Sequence, residues 1–256
     1  MSLKLLLLTV VVMGLVSQVR AAEPQVLELR RYTLVDEAAE GKLDAYLEQA
    51  LLPALSRQGL GPIGVFGQAN REAGDPVEVL LLIVGPSADA VTGAASKLAN
   101  DQEYQAAAKD YLATPADAPV VKRIQSELLK SFAKWPQVTI SNQKQENKPR
   151  LFELRTYESP TEHLGDLKVE MFNSGEIEIF LDCKIQPVFM GQALVGSQVP
   201  NLTYMTVYDD SATRDECWQR FLDHPEWAKL KDVARYAGTV SKIDKSDWLP
   251  KPYSQL

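Results

Sequence analysis

The chain has 256 residues, of which 34 are acidic and 27 are basic, and its formal net charge is −7 at pH 7. This acidic balance, without any basic block, makes nucleic acid and anionic lipid poor candidates as partners, because the electrostatic contribution to binding has the wrong sign. The apolar share of 45% is ordinary for a globular protein and sufficient for a core.

The first 22 residues read as a secretory signal peptide. Residues 1–4 are short and basic, and residues 5–16 form an apolar run that is shorter than the roughly 20 residues needed to span a bilayer. The letters "VRA" at 19–21 give the small-x-small pattern of a cleavage site. We therefore expect an exported protein, periplasmic or extracellular, without a stable membrane span after cleavage.

The rest of the chain is an internal duplication with a shift of about 125 residues. "ELRRY" at 28–32 corresponds to "ELRTY" at 153–157, and "PIGVFGQA" at 62–69 corresponds to "QPVFMGQA" at 186–193. Further matches follow in the same order, which indicates whole-domain repetition. We predict a first domain over 23–136, a linker over 137–150 and a second domain over 151–256.

Each half reads as strand, helix, strand, strand, helix, strand. In the second half we predict strands at 151–158, 188–195, 202–208 and 239–248, a helix over about 164–183, and a helix that begins with Ser211 or Thr213 as its N-cap. This order is that of the ferredoxin-like domain. The predicted fold class is α+β, with two tandem ferredoxin-like (βαββαβ) domains packed sheet-to-sheet as an intramolecular dimeric α/β barrel.

Polar side chains share one face of the first strand in each half. By alternation, the shared faces carry Glu153, Arg155 and Tyr157 in the second half and Glu28, Arg30 and Tyr32 in the first. We expect Phe152 and Leu154 to meet the helices and the polar faces to point into the space between the two sheets. They could line a ligand pocket, with Arg155 binding a carboxylate or enolate and Tyr157 acting as a hydrogen-bond partner or acid, or form a structural ladder of salt bridges and hydrogen bonds between the sheets.

Several long segments of the second half resemble the bacterial members of the NIPSNAP family. They are "FELRTYESP", "MFNSGEIEIF", "PVFMGQALVGSQVPNLTYM", "DHPEWAKL" and "PYSQL". The first half resembles the family only in outline. The resemblance implies a dimeric α/β barrel, a fold shared by small cofactor-independent monooxygenases, haem-binding proteins and stress-response proteins. It implies no catalytic residues, and the vesicle and mitophagy roles of animal members do not carry over to a tandem chain with a signal peptide.

Candidates for chemistry outside the polar faces are few. His163, in the loop after the first strand of the second half, is the best candidate for a general base or haem ligand, with a solvated loop histidine as the alternative. The sequence has no metal-ligand spacing and no nucleotide-binding glycine motif, so we expect no metal and no cofactor, with haem as the alternative. Cys183 and Cys217 could form a disulfide or remain buried thiols.

We interpret the chain as an exported NIPSNAP-domain protein that binds a small molecule or serves as a structural module. The alternative is a cofactor-independent enzyme of the monooxygenase type, or a haem-binding protein, that uses the cavity between the sheets. Oligomer formation is compatible with either interpretation. A cavity lined by Arg155 and Tyr157 would favour ligand chemistry, and a filled interior would favour the structural role.

Overall fold

The computed structural model describes residues 22–256. The predicted signal peptide lies outside the described residues except for Ala22, and it stays a prediction. None of the helices in the described part of the chain is long and apolar enough to cross a membrane.

Eight antiparallel strands form one closed barrel. They are β1 (Val26–Leu34), β2 (Gly64–Gln68), β3 (Glu78–Gly85), β4 (Val121–Ser131), β5 (Leu151–Glu158), β6 (Gln186–Val195), β7 (Asn201–Tyr208) and β8 (Lys242–Pro250). Their order around the barrel is β1-β3-β2-β8-β5-β7-β6-β4, and β4 closes the ring by pairing with β1.

The two halves join at their sheet edges rather than face against face. β2 pairs with β8, where Gly67 lies opposite Leu249, and β4 pairs with β6, where Leu129 lies opposite Ala193. Closure leaves no free strand edge in the barrel. The predicted α/β barrel is confirmed, although the two halves pair at their strand edges and are not stacked face to face. That each half is a ferredoxin-like domain in its own right stays a prediction.

Apolar side chains fill the barrel interior. Phe66, Phe152, Leu154 and Trp248 are among the buried residues of this core, and Phe66 meets Phe152 with ring centroids 4.8 Å apart. An eight-stranded barrel is just wide enough for its inward side chains to fill it. A small cavity of about 80 Å³ remains at one end of the interior, and none of Glu153, Arg155 and Tyr157 lines it, so the predicted pocket is not found there.

The helices lie outside the barrel. In the first half they are α1 (Ala38–Tyr46), a π-helical turn (Leu47–Leu51), α2 (Leu52–Arg57), α3 (Ala88–Thr92), α4 (Ala94–Leu98), α5 (Gln102–Ala107) and α6 (Lys109–Leu112). The connecting segment carries α7 (Asn142–Gln145). In the second half they are α8 (Glu162–Met171), a π-helical turn (Phe172–Glu176), α9 (Ile177–Asp182), α10 (Ser211–Leu222), α11 (Pro225–Leu230) and a 3₁₀ turn (Ala234–Tyr236).

Each half has its own core between its helices and the outer surface of the barrel. Leu43 and Tyr32 belong to the first of these cores, and Phe172 and Tyr204 belong to the second. The predicted strands and helices of the second half agree with the structure to within a few residues. The predicted N-cap of α10 is wrong, because the side chain of Asp210 accepts from the backbone N–H of Thr213 at 2.8 Å and caps the helix instead.

The segment 137–150 is held against the barrel. The backbone N–H of Val138 donates to the side chain of Gln25, and the N–H of Thr139 donates to the carbonyl of Val188. Arg150 donates to the carbonyl of Leu256 at 2.7 Å. These bonds fix the path of the chain between the two halves.

Candidate functional site

The polar face of β5 points outward, beneath the helices, and not into the barrel as predicted. Phe152 and Leu154 belong to the barrel core, whereas Tyr157 belongs to the core under the helices of the second half. Because successive side chains of a strand alternate, Glu153 and Arg155 share the outward face with Tyr157. The prediction was wrong about the side of the sheet, since the apolar residues are needed to fill the closed interior.

Glu153 holds two side chains at once. Its Oε1 accepts from Arg155 Nη2 at 2.9 Å, and its Oε2 accepts from the indole N–H of Trp218 at 2.7 Å. The side chains of Arg155 and Glu153 are only 11% and 5% exposed. A buried carboxylate with two such donors is well compensated, because each of its oxygens has a partner.

The Arg155 guanidinium lies flat against Trp218, with its central carbon 3.5 Å from the ring centroid. Its Nε is buried and has no hydrogen-bond partner among the described residues. Burial lowers the pKa of Arg155, but Tyr204, Glu153 and Tyr157 outweigh this effect and raise it above the usual value, so the group stays charged. The guanidinium therefore does not use all its donors within the protein, and its part that faces the cleft is the one a ligand can reach.

Two tyrosines lie beside Arg155, and Tyr157 is the one that lines the cleft. The hydroxyls of Tyr157 and Tyr204 are 2.8 Å apart and share a hydrogen bond. Burial raises the pKa of both phenols, so neither acts as a base near neutral pH. They can serve as neutral hydrogen-bonding groups.

A cleft of about 840 Å³ opens over these residues, between α10 and the outer surface of β5 and β8. Its apolar wall is formed by Phe221, Leu222, Trp227 and Ile243. Its volume falls within the range of small-molecule sites, of the order of 300–1,000 Å³. The cleft therefore combines a charged floor with an apolar side.

The charged residues that line the cleft balance in number, with four cations (Arg31, Arg155, Arg214 and Lys245) and four carboxylates (Glu78, Glu153, Asp215 and Asp247). Lys245 lies opposite Arg155 in the β5–β8 pairing and is exposed. Arg214 and Asp247, which also line the cleft, form an ion pair with each other. Arg214 also pairs with Asp215, whereas Lys245 has no carboxylate partner among the described residues, so the part of the cleft beside Arg155 and Lys245 is its most favourable place for an anion.

The equivalent residues of the first half make a closed network. Arg30 donates from Nε to Glu28 Oε1 at 2.9 Å, lies 2.7 Å from the same oxygen through Nη2, and donates from Nη1 to Tyr32 at 3.2 Å. Ser126 donates to the same Glu28 oxygen at 2.6 Å. All three guanidinium nitrogens of Arg30 have a partner, whereas the Nε of Arg155 has none. The duplicated Glu-x-Arg-x-Tyr pattern thus has a structural form in one half and an open form in the other.

A buried ion pair lies behind the cleft floor. Lys168 Nζ and Glu176 Oε2 are 2.7 Å apart, and both side chains are almost fully buried. The ammonium lies 5.8 Å from the ring centroid of Tyr157 and 5.7 Å from that of Trp227, two rings that line the cleft.

The remaining candidates do not join this site. His163 is exposed in the first turn of α8 and is absent from the residues that line the cleft. Cys183 and Cys217 are buried free thiols. Within residues 22–256, no three histidine, cysteine or carboxylate side chains group as a metal site.

Sequence reasoning missed Trp218, Tyr204 and Lys245. Trp218 and Phe221 are three residues apart on α10, a spacing that places two aromatic rings on one helix face. That signal pointed to a buried face but gave no indication that it covers Arg155.

The sequence profile of the NIPSNAP family matches residues 152–255. The second half belongs to the NIPSNAP family. Among solved structures, a NIPSNAP domain protein from Burkholderia xenovorans, described as uncharacterized, is 16% identical, with 40% of this chain and 95% of that chain covered and a TM-score of 0.35. No curated protein sequence matches this chain at a significant level.

Two solved structures are similar over most of the barrel. A proposed monooxygenase from Fusobacterium nucleatum is 10% identical, with 89% of this chain and 93% of that chain covered and a TM-score of 0.56. A proposed monooxygenase from Lactobacillus acidophilus is 8% identical, with coverages of 89% and 94% and a TM-score of 0.52. At these identities the likeness shows the shared α/β-barrel fold alone.

Proposed function

We propose that this NIPSNAP protein is an exported binding protein that holds a small organic anion with an aromatic or apolar body in the cleft of its second half. The observation that carries the proposal is the side chain of Arg155, which is charged, 11% exposed, stacked on Trp218 and left with an unsatisfied Nε. A carboxylate on the ligand would accept from the part of the Arg155 guanidinium that faces the cleft, and recognition of carboxylates is characteristic of arginine.

The shape and charge of the cleft support the same ligand class. The anionic group would lie near Arg155 and Lys245, and the apolar body would pack on Phe221, Leu222 and Trp227. Because Arg155 is already stacked and held by Glu153, its side chain is ordered before the ligand arrives, which lowers the entropic cost of binding.

A second candidate is cofactor-independent oxidation of a small molecule in the same cleft. It is supported by the fold shared with the two proposed monooxygenases. The raised pKa values of Tyr157 and Tyr204 favour binding over proton abstraction, because both phenols keep their protons near neutral pH.

Isothermal titration with naphthoate, and with the neutral naphthylmethanol of similar shape, tests the proposal. We expect naphthoate to bind about 10–100 times more tightly, the difference made by hydrogen bonds to a charged group. Arg155→Met should remove this preference, whereas Arg30→Met, the matched change in the first half, should keep it.

Lys245→Met provides a variant at an exposed position, where folding is not at risk, and it should weaken naphthoate binding without changing that of naphthylmethanol. Equal affinities of the wild-type protein for the two probes would overturn the proposal. So would naphthoate binding that survives Arg155→Met in a folded protein.

A further inference from the structure

A second cleft, of about 700 Å³, lies at the equivalent place in the first half. It opens between the outer surface of β1 and β4 and the short helices α3 to α5. Arg30 lines this first-half cleft as Arg155 lines the second-half cleft, because the repeat relates the two positions. The chemistry of the two walls differs.

The wall of the first-half cleft is mainly aliphatic. Five of its large side chains are Leu51, Leu55, Ile83, Val91 and Leu98. All five are buried, and they belong to the core under the helices of the first half. Together with the exposed Ala95 and Ala99 of the same wall they give the cleft an apolar lining, which favours an apolar ligand.

The charged residues of this wall are already compensated. Of the described residues that line the cleft, only Glu28 and Arg30 carry charge, and they pair with each other at 2.7 Å. The guanidinium has no free nitrogen, because Tyr32 takes the third one. Neither an anion nor a cation would find an unpaired counter-charge here, so a charged ligand would lose hydration without compensation.

Two tyrosines provide a polar contact in the wall. The hydroxyls of Tyr46 and Tyr104 are 3.0 Å apart and share one hydrogen bond, which leaves one of the two hydrogens free. Burial raises the pKa of Tyr46, so this hydroxyl remains protonated. The pair can donate to a single acceptor on a ligand.

The rim of the first-half cleft is apolar as well. Leu112 on α6 and Val195 at the end of β6 line the opening and are 50% and 65% exposed. Large aliphatic side chains at an opening provide further contact area for an apolar ligand that protrudes from the cleft.

We propose that the first half holds a second ligand site, for a neutral, mainly apolar small molecule with one hydrogen-bonding group. The chain would then carry two sites of different chemistry on one barrel, with an anion in the second half and a neutral molecule in the first. This inference does not depend on the proposed function, because it uses different residues.

Two fluorescent probes of nearly the same shape test it on the full chain. N-phenyl-naphthylamine is neutral, and anilinonaphthalene sulfonate is the same ring system with a negative charge. We expect one molecule of the neutral probe to bind per chain at the first-half site. Ala95→Trp, an exposed position in the wall of this cleft, should weaken that binding about tenfold or more by occupying apolar space.

Leu222→Trp is the matched control, since Leu222 lines the cleft of the second half and is 61% exposed. It should leave binding of the neutral probe unchanged. Circular dichroism and thermal melts would verify that both variants fold, and Ala99→Trp, also exposed in the first-half wall, serves as a second filling variant.

Three results would overturn the inference. One is the absence of neutral-probe binding by the wild-type protein. Another is neutral-probe binding that Leu222→Trp removes and Ala95→Trp does not. The third is binding of the sulfonated probe that is lost with Ala95→Trp. Each result leaves the naphthoate test of the second-half cleft unaffected, so the two proposals fail separately.

Discussion

Lys168 and Glu176 form a buried ion pair at 2.7 Å at the two positions where the first half of the repeat has Leu43 and Leu51. Both leucines are buried, with exposures of 0% and 2%. The π-helical turns of the two halves also correspond, at Leu47–Leu51 and Phe172–Glu176. One backbone arrangement therefore accommodates either an apolar pair or a charged pair at this place.

Replacing both charges by the residues of the first half should not harm stability. For Lys168→Leu with Glu176→Leu we expect a free energy of unfolding equal to the wild type or about 1–4 kcal/mol higher, because desolvation of a buried ion pair is costly. Each single change should lower it by roughly 3–5 kcal/mol, because one charge is left buried without a partner. Urea unfolding of the three variants measures this, and single and double variants of equal stability would contradict it.

The ion pair on the outer face of β5 should respond in a related way. Arg155→Met leaves Glu153 buried at 5% exposure with only Trp218 as donor, and we expect a loss of roughly 3–5 kcal/mol. Adding Glu153→Gln should recover most of this loss, since the amide oxygen still accepts from Trp218. In thermal melts, a double variant as unstable as the single one would contradict the expectation. Arg30→Met is the matched control and should cost less, because Arg30 is 24% exposed.

Glu127 should make stability depend on pH. Burial raises its pKa above the ordinary 4.5, against smaller opposite effects of Asn201 and Arg31. The folded protein therefore keeps this proton at pH values where the unfolded chain has lost it. The stabilising contribution is present below about pH 4.5 and is lost as the pH rises through the folded-state pKa.

Glu127→Gln, which imitates the protonated form, should lack this dependence. The variant should gain unfolding free energy relative to the wild type between pH 4.5 and pH 7, as urea unfolding at the two pH values would show. A constant difference between the two proteins would contradict the assignment.

The two thiols should be present and slow to react. Burial raises the pKa of both Cys183 and Cys217, and the thiolate is the reactive form. A thiol reagent should label the native protein slowly. After the chain is unfolded without reductant, the same reagent should label two thiols. A count of zero would mean that the two cysteines are joined in a disulfide.

The order of strands and helices could be predicted from the sequence, because the internal repeat and the alternation of apolar and polar residues both indicate it. The same alternation could not decide which side of β5 faces inward, because both sides are covered, one by the barrel interior and one by helices. Phe152 and Leu154 fill the interior, and the polar side faces α10. Which side of β5 faces inward depends on the width of the closed barrel. That width depends on strand pairings between the two halves.

The site was predicted in part. Glu153, Arg155 and Tyr157 do line one cleft, although on the outer side of the sheet. The difference between Arg155 and Arg30 could not be predicted from two nearly identical motifs. It depends on Trp218, which is 63 positions away from Arg155 in the sequence and stacks on its guanidinium at 3.5 Å.

The most direct test of the central claim is a crystal structure of the full chain grown with naphthoate. The account predicts one naphthoate in the cleft of the second half, with its carboxylate accepting hydrogen bonds from Arg155 and its rings against Phe221 and Trp227. Naphthoate bound elsewhere, or a cleft that contains naphthoate with its carboxylate turned away from Arg155, would contradict the account.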